Sequence, residues 1–191
     1  MKAPTVFDAG MAVPTVLVIV AEGFEEAEAV TPIDVLRRAG AQVTLAALAE
    51  GIHVTGRGGL TVHADTTLDA VGKSRFDCIL LPGGPGVARL RGDARVLELV
   101  KRQHRDNGWI AAICAAPVVL LSAGILGGRR YTAHFSVAAE LPAALAGERV
   151  VVDGRLITSR GAGTALDFGL LIVESLFSRE KASEVAGSIC A

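Results

Sequence analysis

Cysteine is scarce in this chain of 191 residues, with three copies at positions 78, 114 and 190. An odd, scattered set makes no disulfide framework, so the expected setting is reducing and cytoplasmic. No CxxC or HxxxH pair offers a metal clamp, and no metal or cofactor is expected. Aromatic residues are only 4% of the chain. Charge of one sign is missing too: 19 basic against 20 acidic residues leave a net charge of −1. Without the basic excess that phosphate backbones select, nucleic acid is not an expected partner. No apolar run reaches the roughly 18 residues that cross a bilayer, so no membrane partner is expected.

What the chain has in quantity is glycine, 22 residues, and small aliphatic residues within a 51% apolar composition. That is enough to bury a core and excludes intrinsic disorder. Residues 1–14 read as a flexible leader, and residues 15–191 as a single domain. The β-branched run Thr15–Ala21 reads as a strand buried on both faces. Phe24–Ala39 predicts a helix ended by Gly40, with Pro32 expected to kink it. Further strands are expected at Gln42–Leu48, Phe76–Pro82 and Trp109–Cys114. Gly51–His63 predicts one hairpin, and Arg149–Thr158 around Asp153-Gly154 a second. Helices are expected at Arg95–Arg105, from Cys114 to about Ala123, at Thr164–Phe177 and at Arg179–Ser188. Alternating strands and helices predict an α/β fold, a doubly wound, mostly parallel sheet with helices on both faces. Ligands in such folds sit beyond the carboxyl ends of the strands.

That rule directs attention to AAICAAP, Ala111–Pro117. A buried strand runs straight into a helix with Cys114 at the junction, between the small residues Ala112 and Ala116. A tight nucleophile elbow needs such neighbours. A helix N-terminus there would favour the thiolate. A free Cys is more commonly a small buried hydrophobe; Cys78, inside a strand, and Cys190, one residue from the end, read as inert or merely exposed. LPGGPG, Leu81–Gly86, ends a strand in glycines whose amides can approach a ligand, and with the Ala115 amide they could form an oxyanion hole. It completes neither a phosphate loop nor GxGxxG. Glu25, Glu26 and Glu28 crowd the start of the first helix. Complementing the helix dipole suffices for Glu25 and Glu26. Glu25 and Glu28 share one helix face, so one of them could point at the strand ends, where a nearby thiolate would raise its pKa and could keep its carboxyl protonated. His134 could reach the same rim as an acid/base. His53, His63 and His104 have no chemical neighbours in sequence and read as surface or hairpin residues.

Taken together, TVLVIVAEGFEEAEAVTPIDVLRRAGAQVT, DCILLPGG, AAICAAP, LITSRGAGTALDFGL and REKASEVA resemble the ThiJ/PfpI superfamily. Within it, the chain is similar to the branch of DJ-1 and bacterial YajL. The resemblance runs from about Thr15 to Ala186. It implies a flavodoxin-like fold and a homodimer. It implies that Cys114 is the reactive, oxidation-prone cysteine, that Glu28 is the protonated carboxyl bonded to it, and that Gly83, Gly84 and Ala115 line the substrate or oxyanion site. His134 matches a histidine of the glyoxalase-active members. The implied activity is a cofactor-free glyoxalase or deglycase acting on methylglyoxal-type aldehydes and their glycated adducts. The alternative is a redox-sensing, chaperone-like stress protein whose cysteine becomes a sulfinate. A peptidase or amidase is disfavoured, because Ala115 stands where the peptidase branch has His. Two more expectations follow: Arg57 at the dimer interface, and a more open site for want of an extra C-terminal helix.

Overall fold

The computed structural model describes residues 12–191; residues 1–11, most of the expected leader, lie outside the described residues. The strands are β1 (Thr15–Val20), β2 (Gln42–Ala47), β3 (His53–Thr55), β4 (Thr61–His63), β5 (Thr66–Thr67), β6 (Cys78–Leu81), β7 (Trp109–Ile113), β8 (Val150–Asp153) and β9 (Leu156–Ser159). The helices are α1 (Glu26–Ala39), α2 (Leu68–Val71), α3 (Val87–Gly92), α4 (Ala94–Arg105), α5 (Pro117–Ser122), α6 (Ala165–Leu176) and α7 (Arg179–Ser188). One sheet runs in the order β5-β2-β1-β6-β7-β9-β8, and β3 with β4 forms a separate hairpin. Neighbours in the large sheet are parallel except β8 with β9. This is the expected doubly wound, flavodoxin-like arrangement.

The buried β-branched runs explain the layering. Along β1, Val16, Val18 and Val20 face one layer, while Leu17 and Ile19 face the other. The first layer packs on α1, α6 and α7, and the second on α3, α4 and α5. Five of the six β1 residues are fully buried, as a central parallel strand requires.

Three details differ from the sequence reading. Helix α1 begins at Glu26 rather than Phe24, because Glu25 is still extended. It continues unbroken across Pro32 to the left-handed Gly40, whose φ of 97° ends it as expected. Pro32 serves packing: a Cβ at Gly169 of α6 would lie 2.6 Å from Val35 Cγ2 and 3.0 Å from Pro32 Cα. The two helices meet backbone to backbone there, which offsets the hydrogen bond that proline removes. Elements β5, α2 and α3 carry too few residues for a periodic signal and emerge only in the structure.

The chain moves from β1 outward to β2 and then crosses to β6 on the other side. The carboxyl ends of β1, β6 and β7 therefore open into the crevice at this switch point.

Candidate active site

Cys114 follows β7 with φ of +64°. A non-glycine residue in this region is strained by about 1–3 kcal/mol and persists only where its surroundings hold it. Here they do. The Cys114 amide donates to the Ser159 carbonyl at the end of β9 at 2.8 Å. Its carbonyl accepts from the His134 amide at 2.9 Å. The elbow expected from AAICAAP is thus present, and Ala116 at its inner side is fully buried.

Glu28 projects from the first turn of α1 and is 1% exposed. Its Oε2 accepts from the Gly83 amide at 2.9 Å, and its carboxyl lies beside the Cys114 thiol, both within reach of the same Gly83 position. Burial, the dominant cause, raises the carboxyl to about 7, against the opposing pull of the Cys114 and Gly83 bonds. Gly83 therefore holds Glu28, while the amides of Ala115 and Gly84 point at the sulfur. Of the glycine amides expected in an oxyanion hole, that of Gly83 is engaged by Glu28, and that of Gly84 faces the sulfur.

Glycine is required at both positions. A Cβ on Gly83 would come within 2.5 Å of Glu28 Oε2 and 2.6 Å of Cys114 Cβ. Gly84 has φ of +88°, and a Cβ there would meet the Gly23 carbonyl oxygen at 2.5 Å.

The helix N-terminus does not lower the thiol as expected. Burial pushes the Cys114 thiol up to about 12, with the Glu28 charge and hydrogen bond adding to it. The Ala115 and Gly84 amides pull the other way without winning. Helix α5 starts only at Pro117 and spans six residues, so its dipole is short and its first turn is displaced from the sulfur. The Coulombic part of the rise disappears when Glu28 is neutral, and a neutral carboxyl can donate to sulfur instead of repelling it. Cys114 and Glu28 thus form a coupled pair, and a carboxyl raised by burial is the fixed point of that pair.

His134 lies at the rim beside Gly161, whose Cβ would meet its Cδ2 at 3.3 Å. Its Nδ1 accepts from the Ser136 amide at 3.2 Å and contacts Ser136 Oγ at 2.9 Å. An amide donor fixes Nδ1 as an acceptor, so the ring proton sits on Nε2 and points a donor elsewhere. His134 makes no side-chain hydrogen bond to Cys114 or Glu28; its amide is what touches the elbow.

Glu25 and Glu26 do more than complement the helix dipole. Arg57 Nη1 bonds Glu25 Oε2 at 3.0 Å. Glu26 Oε1 accepts from the Gly58 amide at 2.7 Å, and Glu22 Oε1 from the Thr55 amide at 3.2 Å. The β3–β4 hairpin is thereby fastened over the loop from β1 to Glu28. Its approach is close at Gly56, where a Cβ would meet the Glu26 side chain and force it to move aside. Sequence reading missed this fastening because its partners are backbone amides, which carry no residue signature. Arg57, expected at a dimer interface, is bonded within its own chain. Among the described residues no group of three or more His, Cys, Asp or Glu is arranged to hold a metal. Nor is any helix among them long and apolar enough to cross a membrane.

Residues 14–175 match the DJ-1/PfpI family. Drosophila melanogaster protein dj-1beta is 42% identical over 174 residues, covering 89% of this chain and 93% of that protein. Its crystal structure superposes with a TM-score of 0.90, covering 94% of this chain and 99% of that one, at 39% identity. The Arabidopsis thaliana DJ-1 homolog A is 42% identical over 177 residues, but this chain, 90% covered, spans only 45% of its length. A Caenorhabditis elegans relative, glutathione-independent glyoxalase DJR-1.2, is 38% identical over 88% of this chain and 91% of that protein. The chain belongs to the DJ-1/PfpI family.

Proposed function

From membership of the DJ-1/PfpI family we infer that this protein is a cysteine-dependent, cofactor-independent glyoxalase, converting methylglyoxal-type aldehydes to 2-hydroxy acids and acting also on their adducts. The observation that carries the reading is the Glu28 carboxyl, buried against both Cys114 and the Gly83 amide. A carboxyl raised to about 7 carries a proton that it can both give and take near neutrality. The name of the C. elegans relative supports the same reaction class.

In this mechanism Cys114 first gives its thiol proton to solvent while Glu28 is neutral, and the thiolate then attacks the aldehyde carbon, forming a C–S bond. The Gly84 and Ala115 amides hold the developing oxyanion, and Glu28 delivers its proton to it. The resulting Glu28 carboxylate removes the hydrogen from the same carbon as a proton, giving an enediolate. The His134 Nε2–H, a donor in this tautomer, hydrogen-bonds the neighbouring oxygen. Glu28 returns the proton to the second carbon, and the proton on the first oxygen moves to the second. The first carbon is thereby oxidised to a thioester and the second reduced to an alcohol, with no external oxidant. Water cleaves the thioester, releasing lactate and a proton, and regenerates the thiolate and neutral Glu28.

Lactate release from methylglyoxal tests the reading. Cys114→Ala should abolish it. Glu28→Gln should keep an alkylatable Cys114 but lose turnover by about 10²–10⁴-fold, the usual worth of general acid–base catalysis. His134→Ala should slow turnover less. Undiminished lactate formation by Cys114→Ala or Glu28→Gln would overturn the mechanism.

The same contact favours a second reading. A neutral Glu28 beside a partly exposed Cys114 would also hold one oxygen of a sulfinate, the arrangement a redox-sensing, chaperone-like stress protein needs. In that case Glu28→Gln would alter the product of peroxide oxidation, with lactate formation low throughout. We propose a homodimer working in the cytoplasm for either role.

A further inference from the structure

Two histidines that this chemistry leaves unused stand side by side on the β3–β4 hairpin. His53 and His63 are direct register partners. The Ala64 amide bonds the Ile52 carbonyl at 2.7 Å, and the Gly56 amide the Leu60 carbonyl at 2.9 Å. The alternation along an antiparallel ladder then makes His53–His63 a non-hydrogen-bonded pair, the kind whose side chains approach most closely. Thr55 and Thr61, the next pair on that face, touch through their hydroxyls at 3.0 Å. Between them Val54 turns inward and is buried, anchoring the opposite face. The imidazole centroids are 4.9 Å apart with planes at 85°. Both histidines are exposed, and among the described residues neither ring has a hydrogen-bond partner.

We propose that His53 and His63 form a two-imidazole site for a late first-row divalent cation, Cu²⁺ more tightly than Ni²⁺ or Zn²⁺. Imidazole is a preferred ligand of these ions, and their affinities peak at copper. An imidazole nitrogen binds at about 2.0–2.1 Å, which places the ring centroid roughly 3.2 Å from the ion. Two such rings at an angle of about 90–110° have centroids about 4.5–5.2 Å apart. The observed spacing lies inside that window. The backbone therefore stays where it is, and only the side-chain torsions turn to converge the nitrogens. The hairpin is already held by the bonds from Gly23 to Thr55 and from Arg57 to Phe24, so the cost of ordering the pair is low. Water fills the remaining positions, since among the described residues no third side chain joins the pair. A bound ion ties β3 to β4 and so reinforces the fastening of the hairpin beside Cys114.

The site is tested on protein carrying Cys114→Ser and Cys190→Ser, which removes the accessible thiols. Calorimetric titration with CuCl₂ and with NiCl₂ should give one ion per chain, copper the tighter. His53→Gln and His63→Gln should each weaken binding at least about tenfold, as loss of chelation demands, while His104→Gln should leave it unchanged. Electron paramagnetic resonance of the copper-loaded parent should show two imidazole nitrogens. That spectrum needs no hairpin variant, so a variant that misfolds does not shelter the proposal. A single-nitrogen spectrum, or unweakened binding in either hairpin variant, overturns it.

Discussion

Burying the Glu28 carboxyl has a stability cost that depends on pH, and its size follows from the site. The group is 1% exposed and its pKa is raised from 4.5 to about 7, chiefly by desolvation. In the unfolded chain the carboxyl ionises near 4.5; in the folded protein it keeps its proton until about 7. Between those values the folded state binds more protons, so stability falls as pH rises through the window. Below 4.5 both states are protonated and there is no penalty; above 7 the penalty is complete. The shift of about 2.5 units corresponds to about 3 kcal/mol. Glu28→Gln keeps an oxygen for the Gly83 amide and an N–H for the sulfur, yet does not titrate. The stability of the wild type relative to Glu28→Gln should therefore decline by about 3 kcal/mol between pH 4.5 and 7 and then level off. For a chain of this size that is a difference of roughly 6–12 °C in Tm. Urea unfolding of both proteins at a series of pH values reads it directly. A flat difference across the window, or one that grows in the opposite sense, would refute the assignment of a buried, protonated Glu28.

Gly83→Ala should be folded but should push Glu28 and Cys114 apart by roughly 1 Å, lowering lactate formation by about 10²-fold and stability by about 1–3 kcal/mol. Normal turnover in that variant would mean that the contact is not used. Mild peroxide should oxidise Cys114 before Cys78, because Cys78 is fully buried with its thiol raised by desolvation; peptide mass mapping would reveal the reverse order if the site is misassigned. Light scattering at micromolar concentration should give about twice the chain mass of 19.7 kDa, and a monomer would remove the dimer from the proposal.

The parts of the fold legible in the sequence are those that bury two faces at once. Val16–Val20, Ile79–Leu81 and Ile110–Ile113 are apolar without alternation, and each is a central parallel strand. Cys114 was readable because a tight junction needs small neighbours; the helix face left Glu25 and Glu28 as equal candidates, and only the family resemblance chose Glu28. The environment that sets their chemistry was not readable. Whether the Cys114 thiol is raised or lowered depends on how much water burial removes and on where α5 begins, neither of which the motif encodes. The role of Gly83 was missed for a related reason: an amide is common to every residue, and only the contact geometry says which carboxyl it bonds. His53 and His63 lie ten positions apart and looked unrelated, although the hairpin register alone would have paired them.

The two hydrogen bonds that pin the Cys114 backbone also govern when the elbow comes into being. One partner, Ser159, ends β9, and the other, His134, lies beyond α5. Both are distant in sequence, and closing long loops is slow. During synthesis Cys114 is added to the chain 20 residues before His134 and 45 before Ser159. Until β9 docks, nothing opposes relaxation of the positive φ, and the thiol is an ordinary cysteine in an incomplete sheet. The reactive geometry is therefore a late product of folding, tied to completion of the sheet. Alkylation followed through refolding should show the reactivity characteristic of native Cys114 emerging with the final structural phase.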